Sequence, residues 1–76
     1  MYELYVLDTC PYCHRVMEFF DNNNIKYLKK VVTDAENRDE LLRLGGKEQV
    51  PFLYEPEKDI KMYESDKIME FVSENE

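Results

Sequence analysis

Two cysteines and one histidine in 76 residues are too few for most metal or disulfide chemistry. A single pair cannot form the disulfide framework that holds small secreted folds together, so Cys10 and Cys13 read as chemical rather than structural. A structural zinc site needs four ligands, and one Cys pair with His14 falls short. An iron–sulfur cluster would have to be shared between subunits, because one chain offers two thiolates. No apolar run approaches the roughly 20 residues of a membrane span. Met1-Tyr2-Glu3-Leu4 is not a basic segment leading into an apolar one, so the expectation is no signal peptide and a cytoplasmic, reducing location. Positive charge is also scarce, with ten Lys and Arg against seventeen Asp and Glu for a net charge of −7. The basic residues are scattered, Lys29-Lys30 being the only adjacent pair, which argues against nucleic acid and anionic membranes. Repeats, low-complexity tracts and linkers are absent, and residues 1–76 read as one domain.

Hydrophobic residues make up 43% of the chain, enough for a compact core. Residues 2–7 form a short apolar run rich in strand formers and read as a buried strand. Pro11 suits the first position of a helix, with Thr9 as the candidate cap. Val16, Phe19 and Phe20 then fall at helical spacing, Arg15, Glu18 and Asp21 face outward, and Asn22-Asn23-Asn24 closes the helix. Residues 25–32 read as a second strand. Thr33-Asp34 opens a second helix whose apolar face is Leu41, Leu42 and Leu44, and Gly45-Gly46 stops it. Phe52-Leu53-Tyr54 is a short strand behind Pro51, and 60–63 a returning one. Ser65 reads as the N-cap of a last helix with Ile68, Phe71 and Val72 inward. The expected architecture is α/β, in the order β-α-β-α-β-β-α. The two leading βα units imply parallel pairing, and a terminal hairpin supplies an antiparallel edge.

The chemistry gathers at Thr9-Cys10-Pro11-Tyr12-Cys13. A Cys-x-x-Cys that follows a strand and opens a helix is the setting of a redox dithiol, because the helix start favours the thiolate that attacks. The first sulfur is exposed at the free amides and the second lies one turn in, which assigns Cys10 as nucleophile and Cys13 as resolving thiol. Cys10 to His14 also has the C-x-x-C-H spacing of haem attachment, with Met62 or Met69 as sixth ligand. That reading needs an exported protein, and the strand-rich pattern opposes it. His14 reads as an exposed helix residue, and the Phe19-Phe20 and leucine clusters as core.

Cys-Pro-Tyr-Cys followed by His14-Arg15 resembles the active-site motif of dithiol glutaredoxins. The resemblance extends through Asn37 to Leu42, Val50-Pro51 and the helix after Ser65-Asp66, essentially the whole chain. It implies a single-domain thioredoxin-like (glutaredoxin-type) fold with a four-stranded mixed sheet and three helices. It also implies glutathione as reducing co-substrate, no tightly bound cofactor, and a monomer acting on protein disulfides and glutathionylated proteins. Carried over residue by residue, Tyr12 lines the glutathione groove and Arg38 holds the glycyl carboxylate. Pro51 is cis, Val50 offers its main chain, and Ser65 and Asp66 receive the γ-glutamyl end. From the residues alone, Pro51 is a proline opening an edge strand and Arg38 a surface residue. In glutaredoxins a proline between the cysteines disfavours cluster assembly, so Pro11 speaks against a cluster-bridging dimer.

Three positions depart from the family pattern. Leu7 replaces the usual basic residue three before the first cysteine, Gln49 replaces the Thr of Thr-Val-Pro, and Tyr63-Glu64 replaces Gly-Gly. Met62-Tyr63-Glu64-Ser65 instead resembles the Glu-Ser glutathione-binding element of glutathione transferase N-terminal domains, which adds Glu64 to the candidate site. The all-helical second domain of those transferases is not in these residues, so transferase activity is not expected. The missing basic residue and the acidic surface keep two alternatives open: a thioredoxin-like redoxin reduced by a flavoprotein reductase, and a redox-regulated binding module.

Overall fold

The computed structural model describes residues 1–76. The elements run β1 (Tyr2–Val6), α1 (Pro11–Asn22), β2 (Tyr27–Val31), α2 (Ala35–Gly45), β3 (Phe52–Glu55), β4 (Ile60–Tyr63) and α3 (Ser65–Asn75). The order is the one expected from the sequence. The four strands form one mixed sheet in the order β2-β1-β3-β4. β1 pairs in parallel with β2, Tyr2 opposite Tyr27, and antiparallel with β3, Leu4 opposite Leu53. β3 pairs antiparallel with β4, Phe52 opposite Tyr63.

Strand alternation divides the core between the two faces of the sheet. Tyr2, Leu4, Val6 and Leu53 join Cys13, Val16, Met17 and Phe20 of α1 and Ile68 and Val72 of α3 in one cluster. Tyr5 and Phe52 point the other way and meet Leu41 of α2 and Val32 in a second. β1 is therefore covered on both faces, the physical meaning of its largely apolar sequence, interrupted only by Glu3, which pairs with Lys30.

Several expectations are corrected. Parallel pairing is confined to β1 and β2, since β3 runs antiparallel to β1. β3 is interior rather than an edge, since it pairs with β1 on one side and β4 on the other, and its Phe52 and Leu53 are buried on opposite faces. Pro51 precedes the strand, so its missing N–H costs no ladder bond. β2 is shorter than 25–32. Ile25 and Val32 still pack on the core, but from outside the strand. Of the three α2 leucines only Leu41 is fully buried, while Leu42 is 40% exposed. Leu41 and Leu44 share a face at i,i+3, and Leu42 is turned a further 100° or so away from it.

The helix ends explain where the chain reverses. Asp34 caps α2 by accepting the Glu36 N–H at 2.9 Å, and Gly46 closes it at φ 82°, in the left-handed region. Asn24 takes a similar conformation, φ 55°, after α1. The caps of α1 and α3 differ from expectation, and both lie at the candidate site.

Candidate active site

Thr9 does not cap α1; Cys10 does. Its backbone is extended (φ −89°, ψ 116°), and its Sγ accepts the Cys13 N–H at 3.2 Å. The nucleophile proposed from the motif is thus itself the capping group, held on the amides that a helix start leaves unpaired. The Cys10 N–H donates to the Leu7 carbonyl at 3.1 Å, and Pro11 occupies the first helical position. Cys10 is half-buried, Cys13 is fully buried, and the two thiols are not bonded to each other. Burial, reinforced by a hydrogen bond with Cys10, pushes the Cys13 thiol up to about 12. At neutral pH Cys13 therefore stays protonated.

His14 is exposed, as its sequence position suggested, and its Nε2 is hydrogen-bonded to the Asp8 carbonyl, fastening the turn ahead of Cys10 to α1. Asp8 is also paired with Lys29 at 3.0 Å. The Arg15 guanidinium lies 5.5 Å from the centre of the Tyr12 ring, and that ring is 57% exposed.

A groove of about 420 Å³ opens beside this turn, lined by Tyr12, Gln49, Val50, Pro51, Glu64, Ser65, Asp66 and Lys67. The fold thus gathers six of the substrate-site candidates from three separate stretches of chain. The Val50–Pro51 bond is cis, as the resemblance implied. Arg38 does not line the groove; it stands on the exposed surface of α2. Gln49 and Lys67 do line it and were not among the candidates. Lys67 carries a readable signal, since it follows Glu64 by three residues and pairs with it at 3.1 Å.

Ser65 is not the cap of α3 but its first residue, and it is buried. Glu64 takes the cap position at φ 73°, ψ 121°, a conformation costly for a residue with a Cβ, of order 1–3 kcal/mol. No side chain caps this helix start. The first amides of α3 are consequently left to whatever enters the groove, and such a cluster suits a carboxylate.

A helix-capping Cys10, a buried partner one turn on and an adjoining groove closed by a cis-proline define the glutaredoxin-type thioredoxin-like class. Residues 4–76 match the family of glutathione S-transferase N-terminal domains. Glutaredoxin 3 of Escherichia coli (strain K12) is 28% identical over 53 residues, 68% of this chain and 64% of its own length. Among solved structures, glutaredoxin 2 of Salmonella typhimurium in complex with glutathione superposes with a TM-score of 0.80 at 26% identity, covering 95% of this chain and 32% of that one. The thioredoxin-like protein BC3987 does so with a TM-score of 0.78, also at 26% identity, over 92% and 97% of the two chains. The chain belongs to the glutathione S-transferase N-terminal domain family, among the glutaredoxin-like proteins of thioredoxin fold.

Proposed function

We propose that this chain is a glutathione-dependent thiol–disulfide oxidoreductase. The observation that carries the reading is the inequality of the two thiols. Cys10 caps α1 beside an open groove, whereas Cys13 is buried and held in its protonated form. Attack therefore begins at Cys10. On a glutathionylated protein, the Cys10 thiolate attacks the glutathionyl sulfur, the protein leaves as its thiolate, and Cys10 carries the glutathione. A second glutathione thiolate then attacks that sulfur and releases oxidised glutathione. On a protein disulfide, Cys10 forms the mixed disulfide and frees one substrate thiolate. Cys13 loses its proton as it attacks the Cys10 sulfur, the second substrate thiolate leaves, and a Cys10–Cys13 disulfide remains for two glutathiones to reduce.

In the groove, the Val50 main chain would face the glutathionyl cysteine and the uncapped α3 amides at Ser65 and Asp66 the γ-glutamyl carboxylate. Tyr12 supplies an aromatic wall. Arg38, outside the groove on the exposed surface of α2, is the proposed partner of a glycyl carboxylate that extends beyond the groove. We take the protein to act as a monomer in the cytoplasm, on disulfide-bearing and glutathionylated proteins.

One observation favours the second reading, a redoxin reduced by a flavoprotein reductase. The groove carries two carboxylates, Glu64 and Asp66, against the one cation Lys67, a poor balance for an anionic tripeptide. Oxidised protein mixed with glutathione, glutathione reductase and NADPH, or separately with thioredoxin reductase and NADPH, distinguishes the two. NADPH consumption in the first mixture and not the second supports the glutathione reading, and the converse overturns it.

A further inference from the structure

We infer that Tyr63 is a positioning residue for the groove, joining its two walls through one phenol. This inference builds on the glutathione-groove reading and adds a residue to it. Tyr63 is the last residue of β4, directly before Glu64 and Ser65. Its side chain crosses to the opposite wall, where its hydroxyl donates to the Lys47 carbonyl at 2.9 Å and accepts the Lys47 N–H at 3.2 Å. Both polar groups of the Lys47 backbone are thereby held by one side chain, two residues before Gln49, where the groove's other wall begins.

The ring is seated as firmly as the hydroxyl. It packs on its cross-strand neighbour Phe52, centroids 4.7 Å apart, and the Lys47 ammonium lies 5.8 Å from its centre. Gly45 completes the seat. A Cβ at that position would lie 2.1 Å from the Tyr63 hydroxyl and 2.8 Å from its ring carbon Cζ. The glycine is required there by the close approach of the phenol, while its neighbour Gly46 supplies the left-handed turn.

The loop between Gly46 and Phe52 has no strand partner, so its position depends on such tethers. With the phenol in place, the Gln49–Pro51 wall and the strained Glu64–Ser65 wall are set at a defined separation. Without it, the Gln49–Pro51 wall moves independently and a ligand spanning the groove must order it on binding. Tyr63 therefore acts on substrate affinity and not on the thiol chemistry.

The test compares Tyr63→Phe, Gly45→Ala and the double variant with wild type, using a glutathionylated peptide as substrate. Tyr63→Phe keeps the ring and removes both hydrogen bonds; it should raise KM about fivefold with kcat within about twofold. Gly45→Ala, whose added Cβ would also meet Tyr63 Cζ at 2.8 Å and Phe52 Cε1 at 3.0 Å, should raise KM at least as much, and removing the hydroxyl as well in the double variant should add little to the Gly45→Ala effect. Hydrogen exchange at the Lys47 amide should quicken in Tyr63→Phe. An unchanged KM in Tyr63→Phe, or a lowered melting temperature with KM intact, overturns the inference. If wild type turns over only protein disulfides, the glutathione reading is the part that fails, and the same KM comparison on reduction of insulin decides the role of Tyr63.

Discussion

Cys10→Ser leaves Cys13 as the sole thiol, and the structure states how unreactive it should be. Cys13 is fully buried, and with Cys10 present burial is the leading reason its pKa is pushed to about 12; Cys10 adds to this through a hydrogen bond and its charge, both lost in the variant, so that value is a ceiling for Cys10→Ser. At pH 7 such a group is about one part in 10⁵ thiolate, against about 3% for a free cysteine of pKa near 8.5. The population difference is therefore about 3,000-fold. A more basic thiolate is a better nucleophile, with a Brønsted slope near 0.45, which returns about 40-fold over 3.5 units. The net expectation is alkylation slower than for N-acetylcysteine by up to about a hundredfold, with burial as the contribution the variant keeps, before any steric shielding. The measurement is the pseudo-first-order rate with iodoacetamide, the modified residue located by mass spectrometry. The rate should climb close to tenfold per pH unit from 7 to 10, without a plateau. Alkylation of Cys13 within tenfold of the free thiol at pH 7, with the protein still folded, would refute the burial argument and the order of attack derived from it.

Other consequences are open to simple measurements. Tyr2 and Tyr5, like Cys13, are pushed up to about 12, chiefly by burial and then by Glu76 and Glu40 respectively. A raised folded pKa stabilises fully below the unfolded value and is lost as pH rises through the folded one. Resistance to urea should therefore decline from about pH 9 towards 12, and a flat profile across that window would contradict the burial of these groups. Lys30 bridges Glu3 at 2.9 Å and Glu40 at 2.6 Å, and the bonds from Lys30 and then Tyr5 hold Glu40 below the usual carboxylate range. Lys30→Met leaves two sheltered carboxylates without their cation and should cost about 2 kcal/mol at pH 7, less at pH 4 where they protonate; chemical denaturation at both pH values checks it. Leu41→Ala should cost about 3 kcal/mol of unfolding free energy, and Leu42→Ala no more than about 0.5; equal costs would mean that α2 packs on a different face. Arg38→Ala should raise KM for a glutathionylated peptide, an effect that shrinks at high salt because exposed charges are screened within about 10 Å at 0.1 M.

Local sequence by itself determined the elements and the pair of cysteines at the start of α1. A short, largely apolar run, a proline at a helix start and paired glycines at a helix end each impose a conformation through neighbours a few residues away. β1, α1 and the end of α2 therefore fall close to where the pattern places them. The dithiol was legible for the same reason, its spacing being one helical turn. What the local pattern misplaced depends on partners remote in sequence. β3 runs antiparallel in the interior, paired with β1 and β4, an arrangement made by strands remote in sequence. Leu42 is left exposed because the sheet meets the opposite side of α2. Ser65 has the composition of a cap, yet it begins the helix, and Glu64 takes the strained position before it. The groove is wholly tertiary, since Tyr12, Val50 and Ser65 come from three distant stretches that only the packed sheet brings together. Tyr63 stood inside the Met62-Tyr63-Glu64-Ser65 element, but nothing local marked its side chain. Its part emerges only where β4, Gly45 and the Lys47 backbone converge on one hydroxyl, an approach set by strand register and a missing Cβ.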